Sequence, residues 1–377
     1  MNSSWNLQKQ KFIHHLTQKY TSLDDLFLKN NISDNLISPY KINLPLSVLD
    51  QIQQQIEQIY KLRKWSSQHL NEEFNRYSIP QAQNHSVCTS YDFHLTSDLQ
   101  LKLIEINTNA AFLALGLNLY ESWGISNHTN FDDRSLVAMF ENESQLCGLS
   151  SMSPWLIMDE KPTDQKLFVE FKLYQEIFKK FNIQADIVNI DDRKALNNVS
   201  MIYNRYTDFY LQNEKSNLIK ELYQNKKIHL SPSPWEYFIL ADKQRMFDWQ
   251  MQTDIPRPTS LLKIYDLTNA NKDDIWLIRK NLFFKPKSSF GSKQVYKGAS
   301  MSRRTFDEAF AQGFIAQELA APSEIEVLHQ NEIQKFKYDL RCYAYKDNLQ
   351  LVIARLYQGQ TTNLQAVGGG FTVVDFS

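Results

Sequence analysis

The stretch SYDFHLTSDLQLKLIEIN, residues 90–107, decides the reading of this chain. Apolar and polar residues alternate in both arms, and the polar turn TSD lies between them. Period-two alternation around a short polar turn predicts a β-hairpin. In the second arm Glu105 and Asn107 are two residues apart, so they share one face of the strand. A carboxylate and an amide oxygen on one face suit a hard cation such as Mg²⁺, which takes oxygen ligands and keeps several waters. Asp92 in the first arm can face the same point. A solvated strand face would also carry acidic residues. Against that, Leu101, Leu103, Ile104 and Ile106 make a largely apolar run, and a buried carboxylate is costly without a cation or donors.

Working outward, residues from about Trp5 to Tyr20 and from Leu44 to Trp65 have helical apolar spacing. The Asn- and Gln-rich stretch Ile79–His85 reads as a connection. Between Pro154 and Tyr210, the runs WLIM, ADIVNI and SMIY alternate with the helical stretch Phe168–Phe181. That pattern predicts βαβ and a parallel sheet. From Ser231, SPSPWEYFILADKQRMFDWQ reads as a helix opened by Ser and Pro. NLFFKPK and FIAQELA read as strands, MSRRTFDEAFAQG as a helix ended by Gly313, and KFKYDLRCYAYKDNLQLVIARLYQ as a long hairpin turning at KDN.

Composition narrows the function classes. A formal net charge of −1 over 377 residues gives no general pull toward nucleic acid or anionic membrane. The three cysteines, Cys88, Cys147 and Cys342, have no CxxC spacing, which argues against a disulfide framework or a zinc site. The eight histidines show no metal-ligand spacing either. The N-terminus lacks the apolar core of a signal peptide. No stretch approaches the roughly 18 apolar residues of a membrane span. The cytoplasm is the default location.

Two further segments carry chemistry. In FFKPKSSFGSK, Lys285 ends a strand and runs into a Gly- and Ser-containing loop suited to phosphate oxygens. It is not a GxxxxGK[ST] loop, and a Lys–Pro before a loop is common. In the C-terminal hairpin Arg341 and Arg355 fall on opposite strands near one another. Two close like charges need an anion between them, and phosphate is one candidate; two surface arginines are the plainer alternative. The following TTN and GGG offer donors and backbone freedom.

Together these segments resemble the ATP-grasp superfamily, and more closely its circularly permuted branch typified by eukaryotic glutathione synthetase. The Glu105-Ile106-Asn107-Thr108 stretch is similar to that family's E-I-N-T. Tyr338-Asp339-Leu340-Arg341 and Asn363…Gly368-Gly369-Gly370 close the chain where the unpermuted order would place them earlier. IYNRYTDFYL resembles the family's Y-x-R-x-x-Y segment. The ending RLYQGQTTN…GGGF resembles bacterial ATP-grasp proteins.

The resemblance implies an α/β fold, with a permuted ATP-grasp body, a Rossmann-like substrate domain and a helical N-terminal region. Its implied divisions are residues 1–85 (helical), 86–150 (metal hairpin), 151–230 (substrate domain) and 231–377 (nucleotide-binding body). It implies ATP and Mg²⁺ as cofactors, and a ligase joining a carboxylate to an amine, with a kinase or a non-catalytic ATP-binding module as alternatives. Small-molecule or peptide substrates are the implied partners; association of identical copies is left open.

Lys243 and Lys285 resemble the ATP-phosphate lysines. Lys287, Ser288, Ser289, Gly291 and Ser292, in the stretch up to Lys293, resemble the loop over the phosphates. Gln317, Glu318 and Leu319 resemble the strand that meets adenine, and Glu324 the group that meets ribose. Asp92, Glu105 and Asn107 look like the Mg²⁺ ligands. Arg341, Arg355 and Asn363 resemble groups that hold the transferred phosphate, with Lys285 joining them. Arg205, Gly369 and Gly370 are the implied substrate contacts. The loop has one Gly and no Glu, and Ser90 and Tyr91 stand where the family has an arginine, which points away from glutathione as the product.

Overall fold

The computed structural model describes residues 4–149, 154–197, 201–287, 295–329, 332–359 and 366–377. Its strands in chain order are β1 (Ile42–Leu44), β2 (Thr89–Leu95), β3 (Leu101–Asn107), β4 (Trp155–Asp159), β5 (Ala185–Asn189), β6 (Met201–Asn204) and β7 (His229–Ser231). There follow β8 (Ile264–Asp266), β9 (Leu282–Lys285), β10 (Tyr296–Lys297), β11 (Ile315–Glu318), β12 (Ser323–His329), β13 (Glu332–Tyr345), β14 (Asn348–Tyr357) and β15 (Gly370–Phe376).

They form three sheets. The largest has seven strands in the order β1-β15-β14-β13-β2-β3, with β12 also on β13. A second, antiparallel sheet runs β10-β9-β11-β8. The third is parallel, in the order β5-β4-β6-β7. The mixed α/β class expected from the sequence is present, as are the 90–107 hairpin and the long C-terminal hairpin.

Each face of the large sheet has its own cover. The Leu46–His69 helix buries Val48, Ile52, Ile56, Ile59 and Leu62 in one cluster with Tyr91, Phe93, Leu340, Val352 and Ala354. That spacing of three and four residues is a single apolar stripe, and each such side chain contributes about 1.5–3 kcal/mol. The opposite face is covered in part by the Leu113–Trp123 helix, which clusters with Tyr343, Leu351, Ile353, Phe371 and Val373. At Gly116 the helix comes so close that a Cβ would sit 3.0 Å from the Ile353 side chain.

Two expectations are corrected. The N-terminal region is not wholly helical: β1 enters the large sheet, parallel to β15. The stretch 231–250 is not one helix. A short turn at Pro234–Glu236 passes into a π-helical turn over Tyr237–Ala241; the chain then extends at Asp242 (ψ 126°) and helix resumes at Gln244–Met251. Periodicity could not show the break, because Tyr237–Ala241 is buried on every side.

Candidate active site

The uncovered part of that second face is ionic. Register fixes who meets whom: Asp92 lies opposite both Glu105 and Arg341, and Asp339 opposite Arg355. Directly opposed residues share a face, so Asp92, Glu105, Asn107, Asp339, Arg341 and Arg355 all project to the same side.

Asp92, 1% exposed, is the hub. Its Oδ1 accepts from Arg341 Nε (3.0 Å) and Ser90 Oγ (3.2 Å). Its Oδ2 accepts from Arg341 Nη2 (2.7 Å), Arg355 Nη2 (2.8 Å) and, more weakly, Asn107 Nδ2 (3.4 Å). Arg355 also donates to both oxygens of Asp339, at 2.8 and 2.7 Å. Burial opposes ionisation of Asp92, but the two guanidinium groups outweigh it and hold the carboxyl well below its usual range. The arginines do need an anion between them, and they have one. It is Asp92, with Asp339 beside it, where the sequence suggested a phosphate.

The lysines come from the second sheet and its neighbours. Lys285 ends β9, where the following Pro286 holds it extended and removes the next N–H. Its Nζ donates to Gln317 Oε1 (2.7 Å) and to the carbonyl of Ile104 (3.0 Å). That carbonyl is available because β3 bulges. Asp92 pairs with Glu105 and Phe93 with Leu103, which leaves Ile104 unopposed. Gln317 Nε2 bonds the Leu103 carbonyl (3.2 Å), so two side chains of the second sheet clamp the edge of the first. Burial lowers the Lys285 ammonium to about 8, opposed by Glu105 and assisted by Lys243. Lys243, 8% exposed, is likewise lowered by burial against the attraction of Glu105 and Asp242. Both lysines thus sense the one carboxylate of Glu105.

The remaining sequence expectations divide. Lys287 is paired with Asp266 at 2.8 Å and donates to Thr268 Oγ1. Ser288, Ser289, Gly291, Ser292 and Asn363 lie outside the described residues. The main-chain N–H groups of Glu318 and Leu319 donate to the carbonyls of Lys263 and Asn281, both at 2.8 Å, so neither N–H is open to a base. Glu324 is exposed on β12 opposite Lys337, on the ionic face. Gly369 and Gly370 have a packing role of their own. Gly370 has φ +117°, and a Cβ there would lie 2.7 Å from the Asn35 carbonyl; one on Gly369 would lie 2.8 Å from that of Leu356. These glycines admit close passage of the chain's own backbone.

Mg²⁺ fits two of the three expected ligands. Asp92 has both oxygens filled by five donors. Glu105 and Asn107 adjoin each other, Asn107 Nδ2 lying 3.4 Å from Glu105 Oε1, and turning that amide over would present its oxygen instead. One carboxylate plus substrate oxygens is an ordinary Mg²⁺ set. Among the described residues, no group of three or more His, Cys, Asp or Glu side chains is placed to hold a metal by itself.

Arg205 stands apart, just beyond β6, beside a cavity of about 360 Å³ lined by Asn109, Asp159, Glu160, Gln165, Tyr206 and Thr207. Sequence reasoning passed over Asp159 and Asn109. The available signal was position, since Asp159 ends the first strand of a parallel sheet, where such folds place ligands. No helix among the described residues is long and apolar enough to cross a membrane.

Comparison with known proteins adds little. No family model matches the chain, and no curated protein does. A solved structure from Methylobacillus flagellatus KT, provisionally assigned as a gamma-glutamylcysteine synthetase, overlays with a TM-score of 0.45 at 10% identity. The match covers 85% of this chain and 86% of that one. A likeness at that level carries no argument.

Proposed function

We propose that the chain is an ATP-dependent carboxylate–amine ligase with the ATP-grasp fold in permuted order, divided at about the positions read from the sequence. One observation carries this reading. Lys243 and Lys285 are buried, both ammonium groups are pushed down, and both look to Glu105. Two buried lysines brought together beside Glu105 suit the oxygens of a polyphosphate. Glu105 and the Asn107 oxygen are the residues that would hold Mg²⁺, which would neutralise phosphate charge there.

In this reading ATP transfers its γ-phosphoryl group to a substrate carboxylate, giving an acyl phosphate and ADP. An amine then attacks the carbonyl, phosphate leaves, and the amine gives up a proton. Lys243 and Lys285 bind and orient the phosphates; Arg355, held by Asp92 and Asp339, adds positive charge beside them. Positioning and charge neutralisation are the main needs of such a transfer. A protein nucleophile is not needed.

Thermal unfolding with ATP and Mg²⁺ tests the site. Nucleotide at about 100 times its Kd adds about 2.7 kcal/mol, which a shifted midpoint reveals. Hydroxamate formation with hydroxylamine then separates a ligase from a kinase, because only an activated acyl group is trapped. A midpoint unmoved by millimolar nucleotide would sink the reading. A second reading has its own observation. Asp92 is fully engaged by arginines, as suits a nucleotide-binding module without chemistry, and for that module ATP would bind but no ADP would form with any carboxylate.

A further inference from the structure

In the parallel sheet β4 comes first, β5 lies on one side of it and β6 on the other. The chain therefore reverses direction across the sheet between β4 and β6. Open α/β sheets bind ligands in the crevice outside the carboxyl ends of the strands at that reversal. Asp159 and Glu160 stand at the carboxyl end of β4, and Arg205, Tyr206 and Thr207 at that of β6. These residues, with Asn109 and Gln165, line the 360 Å³ cavity. The volume is at the small end for ligand sites.

The two charged walls are incompletely used. Arg205 Nη1 donates to the Asn109 carbonyl and to Tyr203 Oη (3.2 Å). Phe171 and Tyr203 flank the guanidinium at 5.8 and 5.6 Å. Its orientation is thus fixed, yet among the described residues Nε is buried without an acceptor and Nη2 makes no hydrogen bond. Nε and Nη2 form the guanidinium edge that takes a carboxylate side-on with two parallel bonds. Across the cavity Asp159 is 8% exposed, and its Oδ1 accepts from the Glu160 amide at 2.7 Å while Oδ2 has no hydrogen bond among the described residues. Arg205 and Asp159 are near enough to perturb each other's ionisation, but no ion pair joins them. Glu160 is turned away to Lys215.

We propose that this crevice binds a small zwitterion, an α-amino acid or the amino-acid end of a short peptide, with Arg205 receiving the carboxylate and Asp159 the ammonium. A bare carboxylate would leave Asp159 buried and unmet, and a bare amine would leave the guanidinium edge unmet. Glu170 also attracts the guanidinium, but its oxygens accept from the Phe112 and Ala114 amides, so a ligand bearing both charges is what meets both walls. Asn109 is two residues beyond Asn107, and its Nδ2 reaches the Arg205 carbonyl at 3.4 Å, so the crevice adjoins the ionic face. That the zwitterion is a ligase substrate rests on the function proposed above; that it binds here does not.

Calorimetry on the full chain, without nucleotide, tests this. The probes are the common α-amino acids and Gly-Gly, with propionate and propylamine as single-charge comparators. Some amino acid or Gly-Gly should bind roughly tenfold or more tightly than either comparator, since one unmet charged hydrogen bond costs about that much. Arg205→Lys and Asp159→Asn should each weaken binding by a similar factor. The Arg205→Lys chain should keep its nucleotide-dependent unfolding midpoint, which also shows that it folds. No heat from any probe at millimolar concentration, or binding that Asp159→Asn leaves unchanged, overturns the proposal. Zwitterion binding without any response to Mg²⁺ and ATP would keep the crevice and remove the ligase.

Discussion

The ionic cluster around Asp92 and the crevice around Arg205 hold the same kinds of side chain in opposite states. In the first, both Asp92 oxygens and the Nε and Nη2 of both arginines are engaged within the protein. In the second, an arginine edge and an aspartate oxygen face each other across a cavity without joining. The first arrangement stabilises the native state and leaves little to offer a ligand. The second costs the folded protein something that a ligand can return. Burial alone does not separate the two; the count of unanswered donors and acceptors does.

The largest effect should come from breaking the closed arrangement. Asp92→Asn removes the carboxylate that both arginines bond and leaves Arg341 without its ion-pair partner, and removing one partner of a buried ion pair costs about 3–5 kcal/mol. Chemical denaturation of the variant measures this. A loss below about 1 kcal/mol would mean that the cluster relaxes toward solvent and is not the closed unit described. For the same reason Asp92→Asn is a poor probe of metal binding here.

The open arrangement should respond in the other direction. Burial raises the Asp159 carboxyl from the ordinary 3.8 to about 6, with Arg205 opposing. A folded-state value above the unfolded one means that the native state holds the extra proton between those limits. Its contribution therefore falls as pH rises from about 4 to about 6. Asp159→Asn removes that cost while leaving an acceptor for the Glu160 amide. The variant should match the parent below pH 4 and exceed it by up to about 3 kcal/mol at pH 8. Equal stability of the two at pH 8 would show that Asp159 is already satisfied.

The smallest effect on the unliganded fold should come from Glu105→Gln, about 1 kcal/mol or less, since Glu105 is half-buried and forms no ion pair among the described residues. Its consequence lies in the ligand response: the nucleotide-dependent shift should lose its dependence on Mg²⁺. A shift that still requires Mg²⁺ would move the metal elsewhere.

Much of this was legible in the sequence. The 90–107 hairpin, the parallel strands from 155 to 204 and the hairpin of β13 and β14 all follow from period-two or apolar runs. That Asp92, Glu105 and Asn107 share a face, and that Arg341 and Arg355 are neighbours, followed from alternation and register; that the two groups meet follows from the pairing of β2 with β13. What alternation cannot say is whether neighbouring charges bond each other or wait for a ligand. That depends on side-chain reach, and it reversed the reading of Asp92 between the arginines. The role of Gly369 and Gly370 was hidden for a similar reason. Their neighbours are Leu356 and Asn35, and no local signal points to residue 35. Asp159 was missed because one acidic residue after an apolar run has no meaning until strand order shows where the sheet reverses.

The placement of β15 has a consequence for how the protein is made. Residues 370–376 lie between β1 and β14, so a strand from the forties joins its sheet only through a partner more than 300 residues later. On the ribosome, β1 and the apolar stripe of the 46–69 helix emerge long before the surface they belong to. Non-local pairing of this kind is slow and leaves apolar surface exposed meanwhile. Nascent chains halted before residue 370 should stay sensitive to protease around residues 42–69, and release of the last strand should close that region in one step.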